Sequence, residues 1–273
     1  MNNHSSHVPV HSFAPICKLM AIAFLATGML ASAQAQIISV NLTPGGTAFG
    51  TTPTTLASSD LAGAPGVRTN DWNNITSASF SGASLVDSSG STVSGLTLTV
   101  SGPNPNTRNN VGSASQNDYT VFNTVIDISS SASISLSGIP YNAYDLFFYI
   151  FPETTSTTAR GGHITIGSTT YYVNGGNGAN AVSMPGTDGS GYVLSTATTL
   201  LASQSTPGNY VKFTGLTGSS QTVSLVSDNF GDNTPRLKVG GFQLVAVPEP
   251  STLAMLGMGV LGLAGMFRAR LRK

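Results

Sequence analysis

Between positions 36 and 246 the apolar residues fall in short β-branched and aromatic runs separated by Ser, Thr, Gly, Asn and Pro. That is the pattern of many short strands joined by turns. In Leu96-Thr97-Leu98-Thr99-Val100 the leucines and the valine share one face and the threonines the other, as a strand buried on a single side requires. Tyr144-Asp145-Leu146-Phe147-Phe148-Tyr149-Ile150-Phe151 has apolar residues on both faces, so it belongs at the centre of a sheet covered on each side. The same pattern predicts strands at 37–42, 83–86, 96–101, 131–137, 144–151, 163–166, 170–173, 210–214, 222–227 and 241–245. A helical turn fits 117–128, where Asp118, Val121, Phe122 and Val125 have helical spacing although β-branched residues oppose it. Connections at 45–67, 102–118 and 174–190 are rich in Gly, Asn, Ser and Pro and hold almost no apolar residues. Loops of that length are functional or loosely ordered. The expected fold is all-β, a two-sheet antiparallel β-sandwich.

Both ends of the chain break this pattern. Lys18 precedes an apolar run at 19–30, and Ala33-Gln34-Ala35 supplies the small residues at −3 and −1 that signal peptidase accepts, so residues 1–35 read as a signal peptide and Gln36 as the mature start. His4, His7 and His11 lie in this leader and cannot hold a metal once it is removed. At the other end come Pro248-Glu249-Pro250, an uncharged apolar run at 253–267, and a basic cluster of Arg268, Arg270, Arg272 and Lys273. The prolines keep the preceding chain extended, and Ser251 and Thr252 are available to cap a helix that starts after them. As a helix the apolar run reaches about 22 Å against a hydrocarbon core of about 30 Å, so it crosses a membrane only with help from its flanks. The basic cluster stops translocation and leaves everything before Pro248 outside the membrane. The organisation expected is a signal peptide at 1–35, a β-sandwich at 36–246 and a sorting or anchor segment at 247–273.

Charge and cysteine usage narrow the partners. The body at 36–246 carries ten acidic and six basic residues, about −4 in all, with no Lys/Arg cluster. A phosphate backbone is repelled by such a surface, which argues against a nucleic-acid partner. Cys17 is the one cysteine and sits in the leader, so the mature protein has neither a disulfide nor a thiolate metal ligand.

The order Pro248-Glu249-Pro250, apolar helix, basic end resembles the PEP-CTERM sorting signal of exported bacterial proteins. The resemblance implies cutting near the motif by a membrane-embedded exosortase, removal of the tail, and residence in the cell envelope or an exopolysaccharide matrix. The alternative is an ordinary membrane anchor that stays in place; both readings export the body. A second resemblance spans most of the mature chain. Asn70-Asp71-Trp72-Asn73-Asn74-Ile75, Leu85-Val86-Asp87-Ser88-Ser89-Gly90, Leu136-Ser137-Gly138-Ile139-Pro140 leading into Tyr144-Asp145-Leu146, and Gly240-Gly241-Phe242-Gln243-Leu244-Val245 are similar to galactose-binding-like jelly-roll modules. This implies a two-sheet sandwich in which sugar binding is found in some members.

Candidate chemistry is sparse. Nucleophilic triads and zinc catalysis need a histidine, and the body's single one, His163, stands at the start of a strand, where a lone histidine is most often a surface or edge residue. Glycoside hydrolysis needs two carboxyl groups about 5 to 9 Å apart, which Glu153 with Asp145 or Asp228 with Asp232 would have to supply. Asp228-Asn229-Phe230-Gly231-Asp232-Asn233 offers oxygen ligands around a glycine, a candidate Ca²⁺ site at Asp228 and Asp232, but a hairpin between neighbouring strands is the favoured reading. Trp72 with Asn73 and Asn74 is a candidate sugar platform, weighed against a tryptophan packed into the core. The expectation is a non-catalytic exported envelope or matrix protein without a cofactor. A carbohydrate-binding module comes second and a carboxylate-based glycoside hydrolase third.

Overall fold

The computed structural model describes residues 36–43, 55–76, 80–81, 84–101, 106–107, 117–153, 158–186, 189–231 and 233–248. The expected signal helix and the expected membrane helix at 253–267 lie outside them, and among the described residues no helix is long and apolar enough to cross a membrane. The chain divides into two compact units, Ala35–Val247 and Met1–Gln34 with Pro248–Lys273. The first is a mostly β sandwich. Its elements are β1 (Ile37–Leu42), β2 (Asn73–Ile75), β3 (Phe80–Ser81), β4 (Thr97–Ser101), β5 (Asn106–Thr107), α1 (Asn117–Asn123), β6 (Ile126–Ile128), β7 (Ser131–Ser137), β8 (Ala143–Ile150), β9 (Gly161–Ile166), β10 (Thr169–Asn174), α2 (Leu200–Ser205), β11 (Tyr210–Thr217), β12 (Ser220–Asp228) and β13 (Leu237–Ala246). A 3-10 turn at Gly178–Asn180 interrupts the third long connection.

One sheet has seven strands, in the order β11-β8-β13-β1-β2 with β6 beside the start of β13 and β5 beside β6; the other has six, β10-β9-β12-β7-β4-β3. The pairs are antiparallel except β1 with β2. There the antiparallel expectation fails, because the long 43–72 connection has room to bring the chain back in the same direction. From β6 onward the chain changes sheet at every connection but one. The exception is the β9–β10 hairpin, whose two-residue loop begins with Gly167 at φ 58°, the left-handed conformation that a glycine-first hairpin turn uses. Of the expected strand at 83–86, residue 83 lies outside the described residues and 84–86 form no strand: Val86 makes only an isolated bridge to Thr92. The connection at 229–236 is also not a hairpin, since β12 lies in the six-stranded sheet and β13 in the seven-stranded one. Turn residues mark a change of direction, and the sequence alone does not say which sheet receives the next strand.

The main core fills the space between the sheets. Tyr144, Leu146, Phe148 and Ile150 of β8 meet Ile134 and Leu136 of β7, Ile164 and Ile166 of β9, and Val223 and Leu225 of β12. A second cluster covers the opposite face of the seven-stranded sheet. Phe147 and Tyr149 of β8 and Val245 of β13 pack there under Leu56, Ala62, Ala64, Val67 and Trp72 from the first long loop and Val121 and Phe122 from α1. The central strand is therefore buried on both sides, as its sequence requires. Because α1 sits directly on β13, a Cβ at Gly240 would lie 1.8 Å from the Val121 carbonyl oxygen.

Among the described residues no comparable cluster covers the outer face of the six-stranded sheet. One row across it, from β10 to β4, reads Thr170, Thr165, Ser224, Ser133, Ser101, each paired in register with the next. The neighbouring row reads Thr222, Ser135, Thr99, and the next Ser220, Ser137, Thr97. Hydroxyls bond across the strands, Thr97 to Ser137 at 2.6 Å, Ser101 to Ser133 at 2.8 Å and Thr165 to Thr170 at 2.9 Å.

Phe148 stacks on Phe242 and meets Phe213 edge-on in the main core. Its replacement by alanine should cost about 3 to 5 kcal/mol in chemical denaturation, whereas Ser224→Ala on the uncovered face should stay within about 0.5 kcal/mol. A mild effect at Phe148 would contradict its central place.

Candidate functional site

The first candidate is the place where the sandwich meets the two expected processing segments. Because β1 and β13 are antiparallel neighbours, with Ile37 opposite Val245, the body begins and ends at one end of the same sheet. The Ala246 amide donates to the Gln36 carbonyl at 2.9 Å and the Val247 amide to the Ala143 carbonyl at 2.9 Å. Gln36 also reaches Asp87 Oδ2 at 3.3 Å. Burial works to raise the Asp87 pKa, but hydrogen bonds from Ser89 and Ser91 outweigh it and leave the carboxyl below its ordinary value. Val247 and Pro248 are exposed. Of the expected sorting motif only Pro248 is described; Glu249, Pro250, Arg268, Arg270, Arg272 and Lys273 lie outside the described residues, as do Ala33 and Ala35 at the expected signal cleavage.

The opposite end gathers a group of charged residues. Glu153, just past β8, accepts from Arg160 at 2.9 Å and pairs with Lys238 at 2.6 Å. Lys238 is buried on β13 and lies 5.2 Å from the centre of the Phe151 ring. Arg236 pairs with Asp127. On the outer face of the six-stranded sheet His163 Nδ1 lies 2.8 Å from Asp228 Oδ2, and the His163 ring is 5.0 Å from that of Tyr172. An ionised carboxylate only accepts, so Nδ1 carries the proton in this contact. A shallow pocket of about 250 Å³ between Phe230, Ala159, Gly176, Asn177 and Gln204 holds none of the expected site residues.

These positions bear on the expected chemistry. Asp145 lies near the start of β8, paired with Lys212 at 2.9 Å, and Glu153 lies beyond its end. The strand from 145 to 150 alone spans about 16 Å, too far for a hydrolytic pair. Asp228 faces His163, while Asp232 lies outside the described residues. Among the described residues no group of three or more His, Cys, Asp or Glu converges as metal ligands would. Trp72 is buried, its ring 6.1 Å from that of Tyr149 and its indole N–H donating to the Thr69 carbonyl at 3.0 Å. Its ring has no face open to a sugar. Asn73 bonds the Ser39 and Val86 backbone, and Asn74 bonds the Leu56 backbone and Asn41, so their amides hold the first long loop to β1. The core-packing alternative for Trp72 is the one found.

A buried polar network was not foreseen. Asp118 Oδ1 accepts the Gly63 amide at 2.9 Å and the Tyr192 hydroxyl at 2.8 Å, and Oδ2 accepts from Arg68. Gln243 donates to Ser39 Oγ at 2.8 Å and to the Val67 carbonyl at 2.9 Å, and accepts from the Tyr149 hydroxyl. Together they bolt two loops onto the outer face of the seven-stranded sheet. Burial raises the Tyr149 and Tyr192 hydroxyls above their ordinary range, so both act as hydrogen-bonding groups and not as acids.

Residues 246–273 match the PEP-CTERM protein-sorting motif. The match begins on the last residue of β13, where the sandwich ends. The motif indicates an exported protein sorted to the cell envelope through exosortase-type processing. No curated protein and no solved structure matches the chain.

Burial raises the Asp118 pKa above 3.8, against the lowering effect of its hydrogen bonds and of Arg68. A raised native pKa means that the native state binds the proton more tightly than the unfolded chain, so this group's contribution to stability falls as pH rises from about 3.8 through the higher native value. Urea denaturation of the wild type and of Asp118→Asn across acidic pH should show this as the difference between the two curves. A flat difference would show that Asp118 titrates normally.

Proposed function

We propose that the mature protein is a non-catalytic component of the cell envelope or extracellular matrix, associated with exopolysaccharide and produced by two cuts. Signal peptidase removes residues 1–35, and an exosortase-like enzyme cuts near Pro248-Glu249-Pro250 after the apolar segment has held the protein transiently at the membrane. The carrying observation is the sorting motif at 246–273, which starts where β13 stops. The described ties at this junction are the backbone bonds of Ala246 and Val247, so a cut beyond Pro248 costs the core nothing. Gln36 and Ala246, next to the two proposed cuts, are hydrogen-bonded at one end of one sheet, which would let the same end of the sandwich serve each enzyme in turn. The non-catalytic reading draws support from the carboxylates, since Asp145, Glu153, Asp127 and Asp118 are each tied to a lysine or an arginine. A jelly-roll module fits the repeated crossing between sheets.

Mass spectrometry of the protein recovered outside the cell should give a start near Gln36 and an end close to the Pro248-Glu249-Pro250 motif. Recovery of the intact 253–273 tail on all such protein would refute release and leave a permanent anchor. Replacing the three motif residues by alanine should block tail removal and leave the thermal unfolding of the sandwich unchanged. A drop in melting temperature would place the motif within the folded body.

A further inference from the structure

Among the described residues, hydroxyl side chains dominate the outer face of the six-stranded sheet. Its rows from β10 to β4 present serine and threonine hydroxyls, and among its described residues the only ionisable groups besides tyrosine are His163 and Asp228, at one corner. At that corner Tyr172 of β10 stands opposite His163 of β9 on the outward side, because their neighbours Ile164 and Val173 are in the core. Asp228 holds the His163 ring through Nδ1, and the His163 and Tyr172 rings meet at 43° with centres 5.0 Å apart. Thr165 and Thr170 begin the first hydroxyl row directly beside these rings.

We propose that this face is a binding surface for a neutral polysaccharide, with Tyr172 and His163 as the platform for one sugar ring and the hydroxyl rows as the track for the following residues. The proposal deepens the exopolysaccharide reading above and rests on it. Four properties point to this ligand. Each serine or threonine hydroxyl is both donor and acceptor, as each sugar hydroxyl is, so the pairing works in either direction. The absence of charge along the rows suits an uncharged polymer, and it offers nothing to an anionic one although the body as a whole is acidic. Rows repeat at about 4.8 Å across the strands and about 6.8 Å along them, and a regular array of weak contacts holds a repeating chain by multivalency. Among the described residues, the loops that cover the corresponding side of the other sheet do not reach this face. The ring pair supplies the apolar contact that hydroxyls alone lack.

The test is affinity electrophoresis of the processed protein, purified from the cells that export it, in gels containing dextran or hydroxyethylcellulose, with alginate as the anionic comparison. Mass spectrometry of the same sample reports whether processing occurred, so failure of the export reading is seen separately from failure of binding. The expected result is retardation in a neutral gel and none in alginate. Tyr172→Ala should weaken it about tenfold, the worth of one ring contact. Thr222→Lys with Ser224→Lys, which changes two exposed hydroxyl positions on β12, should remove it while leaving the circular dichroism spectrum unchanged. Migration unaffected by both neutral polymers, retardation in alginate alone, or equal retardation of wild type and both variants would each overturn the proposal. So would a concentration-dependent dimer in analytical ultracentrifugation that the lysine pair dissociates, because the face would then be closed by a second copy.

Discussion

The structure depends on burying the β8–β13 pair on both faces. Every residue of β13 except Ala246 is buried, and β8 is buried from Leu146 to Ile150. A strand in that position cannot leave polar groups unmatched, since each orphan costs about 1 to 3 kcal/mol. The outer side nevertheless carries Gln243, and its amide bonds Ser39, Val67 and Tyr149. That arrangement fixes the first long loop in place. Asp118 does the same for Gly63 and Tyr192, tying the third long connection's end to α1 and to the first loop. Gly240 lets the helix backbone come close enough to seal the cover.

The two sheets have accordingly taken different parts. The seven-stranded sheet is sandwiched between the main core and a lid of loops, and its polar chemistry is spent on holding that lid. The six-stranded sheet is buried on one face and wet on the other, the ordinary condition of an antiparallel sheet. What is unusual is the composition of the wet face. Charged side chains commonly keep an exposed sheet soluble and separate, whereas here hydroxyls fill the rows and the ionisable pair His163–Asp228 is confined to one corner. With no disulfide to help, stability comes chiefly from the two apolar clusters, to which the hydroxyls of this face add cross-strand hydrogen bonds.

Sequence patterning revealed what was local. The alternation at 96–101 and the two-faced apolar run at 144–151 became β4 and β8, and the helical spacing of Asp118, Val121 and Phe122 became α1, cut short where Ile126–Ile128 joins the sheet. Pairings were not legible. The connection after Asp228 has the Asn and Gly of a hairpin, yet it crosses to the other sheet, because local turn chemistry is the same for both. The 45–67 and 174–190 stretches look like free loops by composition. Their described parts become a lid through Leu56, Val67 and Met184, with Trp72 and Tyr192 just beyond them, whose apolar partners lie far away in sequence. Asp118 was visible as a carboxylate on an apolar helical face, but Arg68 and Tyr192, which make that tolerable, stand 50 and 74 positions away. The Trp72 platform failed for the same reason: its neighbours suggested a sugar site, and its depth was set by Tyr149.

The placement of the chain ends joins these observations into one arrangement. The hydrogen bond from Ala246 to Gln36 sets the expected mature start and the beginning of the sorting motif side by side at one end of the seven-stranded sheet. Register then fixes where everything else goes. β13 runs from its charged end, Arg236 and Lys238, to this junction, and β8 runs the other way from Ala143 to Glu153. In the six-stranded sheet β12 runs from Ser220, next to the junction end, to Asp228 at the far end. The His163–Tyr172 corner is therefore separated from the point of tail attachment by the length of the sandwich, about 25 to 30 Å for strands of eight or nine residues. The hydroxyl rows run between the two. On the function proposed above, a tether leaving from one end and a ring platform at the other would let the described part of this face stay accessible both before and after removal of the tail.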